Sequence, residues 1–115
     1  AFDKSEGPAT RLQWGAGYVA ALVELAPKDG ARIEKAAGQL FKEASRDKGA
    51  FYERSARSLQ RVGNKLADWN ADGRQGAALQ RLQRQLSGVC GRIPQADAQR
   101  ATCDGIAAKL SPGKA

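Results

Sequence analysis

Two cysteines, Cys90 and Cys103, are the residues of this sequence whose chemistry is most tightly limited by their spacing. They could form a structural disulfide, act as a redox pair, or supply half of a metal site. Structural zinc takes four nitrogen or sulfur ligands and catalytic zinc usually three plus a water, whereas this chain has two cysteines and no histidine. A redox pair of the thioredoxin kind needs its cysteines two residues apart at a helix N-terminus, where the helix dipole lowers the attacking thiol's pKa. Here twelve residues lie between them, and the apolar pattern ends a helix at Cys90. A structural disulfide and a pair of reduced cysteines are the two readings left, and neither a metal nor a cofactor is expected.

Compartment bears on that choice, because disulfides persist in oxidising surroundings such as secretions or the bacterial periplasm. The sequence opens AFDKSEGPAT and holds no methionine anywhere, as expected of a mature chain after removal of a signal peptide. The expected location is therefore periplasmic or secreted.

Other chemistry has little to work with. A nucleophile or general base needs a positioned partner, and histidine, the commonest base, is missing. Glu34, Glu43, Glu53, Asp68 and Asp72 are scattered beside lysine or arginine, where ion pairing or solvation accounts for them. Glu24 differs as the single acid inside an apolar helix, and a cation such as Lys28 could pair with it. No enzyme is expected.

The elements that must position these residues read as helices throughout, one all-α domain over residues 1–115 with frayed ends at 1–7 and 111–115. Pro8 suits a first helical turn, and the first helix should run to just before Pro27. One stripe of it is Leu12, Gly15, Val19, Leu22 and Ala26; another is Trp14, Tyr18, Ala21 and Leu25. This predicts a central helix buried nearly all round, with Gly15, Ala16 and Ala20 allowing close approach, or one that buries a face against a second copy of the chain. The segment is too short and too polar to span a bilayer, which takes about 20 apolar residues. A second helix is expected over about 28–47, and a third over about 50–70 with Tyr52, Ala56, Leu59, Val62, Leu66 and Trp69 inward. A fourth is expected over about 75–90. NADGRQG between the third and fourth reads as a turn in which Gly73 takes positive φ. The last helix should open at the N-cap Asp97 and stop before Pro112. The result is a bundle of about five helices with a disulfide-tethered C-terminal segment.

Charge is unevenly placed. Nineteen lysines and arginines against twelve acids give +7, yet residues 1–47 are balanced and residues 48–100 carry ten positive and four negative groups. The third and fourth helices thus form the expected basic face: Arg54, Arg57, Arg61 and Lys65 in one helical row, joined by Arg81 and Arg84. Like charges in such a row repel by a few tenths of a kcal/mol per pair, which invites an anionic partner. Nucleic acid is one such partner. The inward placement expected for Tyr52 and Trp69, and an oxidising compartment, argue instead for an acidic protein or an anionic envelope surface.

In its small mature size, its all-helical reading and the segment CGRIPQADAQRATC, the chain resembles the periplasmic immunity proteins that block peptidoglycan amidase effectors delivered by type VI secretion. The resemblance implies occlusion: a loop or helix end enters the effector's cleft, and the protein performs no reaction. Occlusion asks for a protruding, pre-ordered segment. Two loops qualify, Asn70, Asp72, Arg74 and Gln75 in the first, Arg92, Ile93 and Gln95 in the second, where an exposed Ile93 would make an apolar anchor. Binding of nucleic acid or an anionic surface, or assembly into the cell envelope, are the competing functions. If Cys90 and Cys103 are bonded, protein from its native compartment, denatured without reductant, should titrate with no free thiol and release two on reduction.

Overall fold

Capping chemistry sets where the helices begin and end. The computed structural model describes residues 8–111, which form α1 (Pro8–Leu25), α2 (Gly30–Ser45), α3 (Glu53–Trp69), α4 (Gly76–Gly91) and α5 (Ala98–Lys109), with no strand among them. Of the ends read as frayed, only Ser111 is among the described residues, and it is exposed. Asp97 caps α5 by accepting a hydrogen bond from the Gln99 amide at 2.9 Å, and Asp29 caps α2 through the Arg32 amide at 3.3 Å. Each side chain satisfies a donor that the first helical turn leaves without a partner. Gly73, at φ +78°, takes the left-handed turn conformation that its lack of a Cβ permits.

Contacts between helix ends fix the directions. Lys65 of α3 pairs with Glu24 of α1, and Trp69 Nε1 donates to the Pro27 carbonyl at 2.9 Å, so α1 and α3 finish together and run parallel. The Arg81–Glu34 pair and the bond from Gln85 Nε2 to the Gly38 carbonyl do the same for α2 and α4. Lys109 on Asn64, with Gln99 on Phe51, aligns α5 with α3. Each helix packs mainly against two others, in the closed order α1, α2, α4, α5, α3. The ring is flattened to 38 × 36 × 17 Å, a thickness of about two helices at the usual 8–10 Å spacing.

One core fills the ring, with Val19, Ile33, Phe41, Val62, Leu66, Leu86 and Leu110 fully buried. Cys90 and Cys103 are bonded and buried within it, their Cα atoms 5.5 Å apart. The helices α3 and α5 approach closely at Gly63, where a Cβ would stand 3.2 Å from Ile106 Cγ2.

Two expectations need correction. The first helix is not buried all round: Leu12, Ala16, Val19 and Leu22 are inside, but Trp14, Tyr18 and Leu25 are 65%, 54% and 85% exposed. Among the described residues α1 packs chiefly on α2 and α3, which leaves its second stripe outside the core. Tyr52 also points outward, because the third helix starts at Glu53 rather than near Ala50. Residues 47–52 are turns that bury Ala50 and Phe51 instead. The two stripes of α1 should therefore respond differently to charge. Val19→Asp should cost more than about 4 kcal/mol, the mark of a buried unpaired charge. Leu25→Asp should stay within about 0.5 kcal/mol of the parent, both read by thermal unfolding followed by circular dichroism.

Candidate functional site

A groove runs between α1 and α3. Gln13, Ala16, Gly17 and Ala20 form its α1 wall, and Arg54, Arg57, Ser58 and Arg61 its α3 wall, around about 290 Å³. The small α1 side chains leave this space: a Cβ added at Gly17 would meet nothing within 4 Å. The spacing of Arg54, Arg57 and Arg61 keeps them on one helical face, spread over about 10 Å of axis at 1.5 Å per residue. All three are exposed and form no ion pair among the described residues. Lys65, the fourth member of the row, is half-buried and held by Glu24 at the groove's end. Ser58 is 9% exposed and lines the groove, and its hydroxyl bonds to no described residue.

Beside the groove, and sharing Gln13 and Gly17 with it, a shallow cleft opens between the rings of Trp14 and Tyr18. An aromatic pair and an arginine row thus form one continuous surface. The apolar pattern of α1 already carried this signal as a second stripe; which helices would cover it was not legible. Ser58 had no signal beyond a hydroxyl on the same helical face as the arginines.

The two loops behave differently from that surface. In the 70–75 turn the polar side chains close the backbone: Asn70 Oδ1 accepts from the Gln75 amide at 2.7 Å and Asp72 Oδ1 from the Arg74 amide at 3.0 Å. In the 91–97 loop Ile93 is half-buried and packed against the core rather than exposed. Arg100 of α5 donates to its carbonyl at 3.0 Å, which holds the loop flush against the bundle. Arg92 and Gln95 remain exposed. The loop borders a cleft of about 410 Å³ with Arg46, Lys48, Phe51 and Asp97. Buried Gln99 braces that cleft, accepting from the Phe51 amide at 3.0 Å and donating to the Lys48 carbonyl at 2.8 Å.

No known protein family, curated protein or solved structure matches this chain.

The expected basic face divides. Arg81 and Arg84 lie on α4, which packs on α2 and α5 and not beside the row on α3. Arg81 forks onto Glu34, Nε at 2.6 Å and Nη2 at 2.8 Å from its oxygens, while Arg84 is exposed. Glu24 pairs with Lys65 and not with the neighbouring Lys28. Hydrogen bonding to Lys65, reinforced by its charge, holds the Glu24 carboxyl below its ordinary pKa, and the Arg81 fork does the same for Glu34. A carboxylate with a lowered folded-state pKa adds stability above its unfolded value and loses it as pH falls through the folded value. The gap in Tm between the parent and Glu34→Gln should hold from pH 7 to about pH 5. It should then close as the pH drops below the ordinary carboxylate value of about 4.3, read by thermal melts in constant-salt buffers.

Proposed function

We propose that this protein works by binding and not by chemistry: the α1–α3 face docks on an acidic surface of a partner protein and covers it. One observation carries the reading. Exposed Trp14 and Tyr18 lie beside Arg54, Arg57 and Arg61, which no described carboxylate neutralises. Tryptophan, tyrosine and arginine are the residue types that dominate binding energy at protein interfaces, and an arginine row complements negative charge. The disulfide and the helical bundle fit the role of an exported, immunity-type inhibitor that occludes an amidase effector. In this reading the occluding element is the α1–α3 face, since the flush 91–97 loop offers no protruding anchor. The same rings beside arginines favour one second reading, a binder of single-stranded nucleic acid, where bases stack on aromatic side chains along a basic groove.

The test begins with capture of a partner from the native envelope, followed by titration of that purified partner against variants. Trp14→Ala with Tyr18→Ala should weaken binding by about 2 kcal/mol or more, roughly thirtyfold, without lowering the melting temperature. Arg57→Glu with Arg61→Glu should also weaken it, while Arg92→Glu with Ile93→Ser should bind like the parent. Loss confined to the loop variant would return occlusion to the 91–97 loop. Tight binding of oligo-dT that collapses steeply with salt would select the nucleic-acid reading.

A further inference from the structure

Within the docking face, the groove has a feature that a flat protein contact does not need. Ser58 lines it, nine-tenths buried as a residue, with a hydroxyl that solvent reaches and that bonds to no described residue. Arg54 and Arg61 lie one helical turn either side, and Arg57 is adjacent. Their side chains can converge over the serine, because residues three and four apart share a helix face. Opposite, Gly17 leaves a notch and Gln13 presents an amide.

From this we infer that the groove is a site for one phosphate dianion, free or at the end of a phosphomonoester, held by Arg54, Arg57 and Arg61 with the Ser58 hydroxyl as a fourth donor. The charge balance selects the ligand. Three guanidiniums with no carboxylate partner among the described residues exceed what a single carboxylate neutralises, whereas a phosphomonoester carries about −1.5 to −2 near pH 7 and offers three acceptor oxygens. Guanidinium forks match phosphate oxygens in geometry. The adjoining Trp14–Tyr18 cleft, which shares Gln13 and Gly17 with the groove, gives a flat apolar substituent on the phosphate a place to lie. This site goes beyond the docking reading and can fail without it: Ser58 has no part in the docking argument, and the ring stripe has no part in holding free phosphate.

Titration of the intact, disulfide-bonded protein, followed by amide and indole NMR shifts, tests it with three probes at constant ionic strength in chloride: inorganic phosphate, phenyl phosphate and oligo-dT. Inorganic phosphate should give saturable shifts centred on Arg57 and Ser58. Ser58→Ala should weaken it about tenfold, the usual effect of losing one hydrogen bond to a charged group. Arg57→Gln with Arg61→Gln should abolish saturation. Gly17→Leu, which helix propensity favours over glycine, should fill the notch and block binding in a folded protein. Tighter binding of phenyl phosphate, with the Trp14 indole shifting and the gain lost in Trp14→Ala, assigns an organic phosphomonoester as the source; equal binding assigns free phosphate. The inference is overturned if chloride alone reproduces the shifts, if Ser58→Ala binds like the parent, or if oligo-dT saturates the groove while inorganic phosphate does not. Retained phosphate binding in Trp14→Ala with Tyr18→Ala, alongside lost partner docking, keeps the two readings apart.

Discussion

The parallel contact between α1 and α3 sets what the rest of the molecule must do. Parallel helices cannot be joined by a tight turn, so the chain returns through α2 before α3 can lie beside α1, and the same step recurs through α4 before α5 lies beside α3. The seam is lined with small residues, Ala16, Gly17 and Ala20 facing Ser58. Its far end is pinned by the Glu24–Lys65 pair and by Trp69 on the Pro27 carbonyl. Small side chains bring the two backbones together and also leave the outer lip of the seam unfilled. The groove is thus a consequence of how the helices pack.

At the opposite side of the ring, stability is concentrated where the chain makes its least regular turns. The disulfide joins residues 13 apart in sequence, and closing a loop of roughly that length restricts the unfolded chain by about 3 kcal/mol. Gln99 is buried without penalty because both ends of its amide are bonded to backbone of the 48–51 turn. A buried polar group that is fully satisfied fixes one arrangement, whereas removing its partners costs about 1–3 kcal/mol per group. These restraints hold Ile93 against the core and seat the start of α3.

Local signals were legible in the sequence, and long-range ones were not. Asp97, Pro8, Pro27 and Gly73 punctuate the chain through chemistry confined to a few residues, and the five helices follow from them within a few positions. The buried stripes Leu12–Val19–Leu22 and Leu59–Val62–Leu66 were equally plain at their three-four spacing. Apolar character alone could not tell which of the two α1 stripes would be covered, because that depends on how many neighbours the helix has. Tyr52 shared the α3 periodicity, but Phe51 competes for the same core and takes the turn inward with it. The arginines of α3 and α4 look like one basic block along the chain, and the return stroke of the fold puts them on different helices of the ring. Ser58 lay outside any pattern, since its role rests on a groove that two distant segments make together.

Charge pairing separates the arginines of the groove from those whose charge is neutralised locally. Arg11, Arg32, Lys65, Arg74, Arg81 and Arg100 each have a carboxylate within 4.0 Å, and exposed pairs of this kind add little stability. What they do is cancel field. Among the described residues Arg54, Arg57 and Arg61 lack such cancellation, and their mutual repulsion is tolerated because each side chain is exposed to water. At physiological ionic strength charges are screened beyond about 8 Å, so the row acts on groups that enter the groove more than on a distant partner. Net charge therefore says less about recognition here than the local geometry does. An anion gains most when it replaces the water around three guanidiniums at once and meets the Ser58 hydroxyl, while an apolar neighbour covers Trp14 and Tyr18 in the same step.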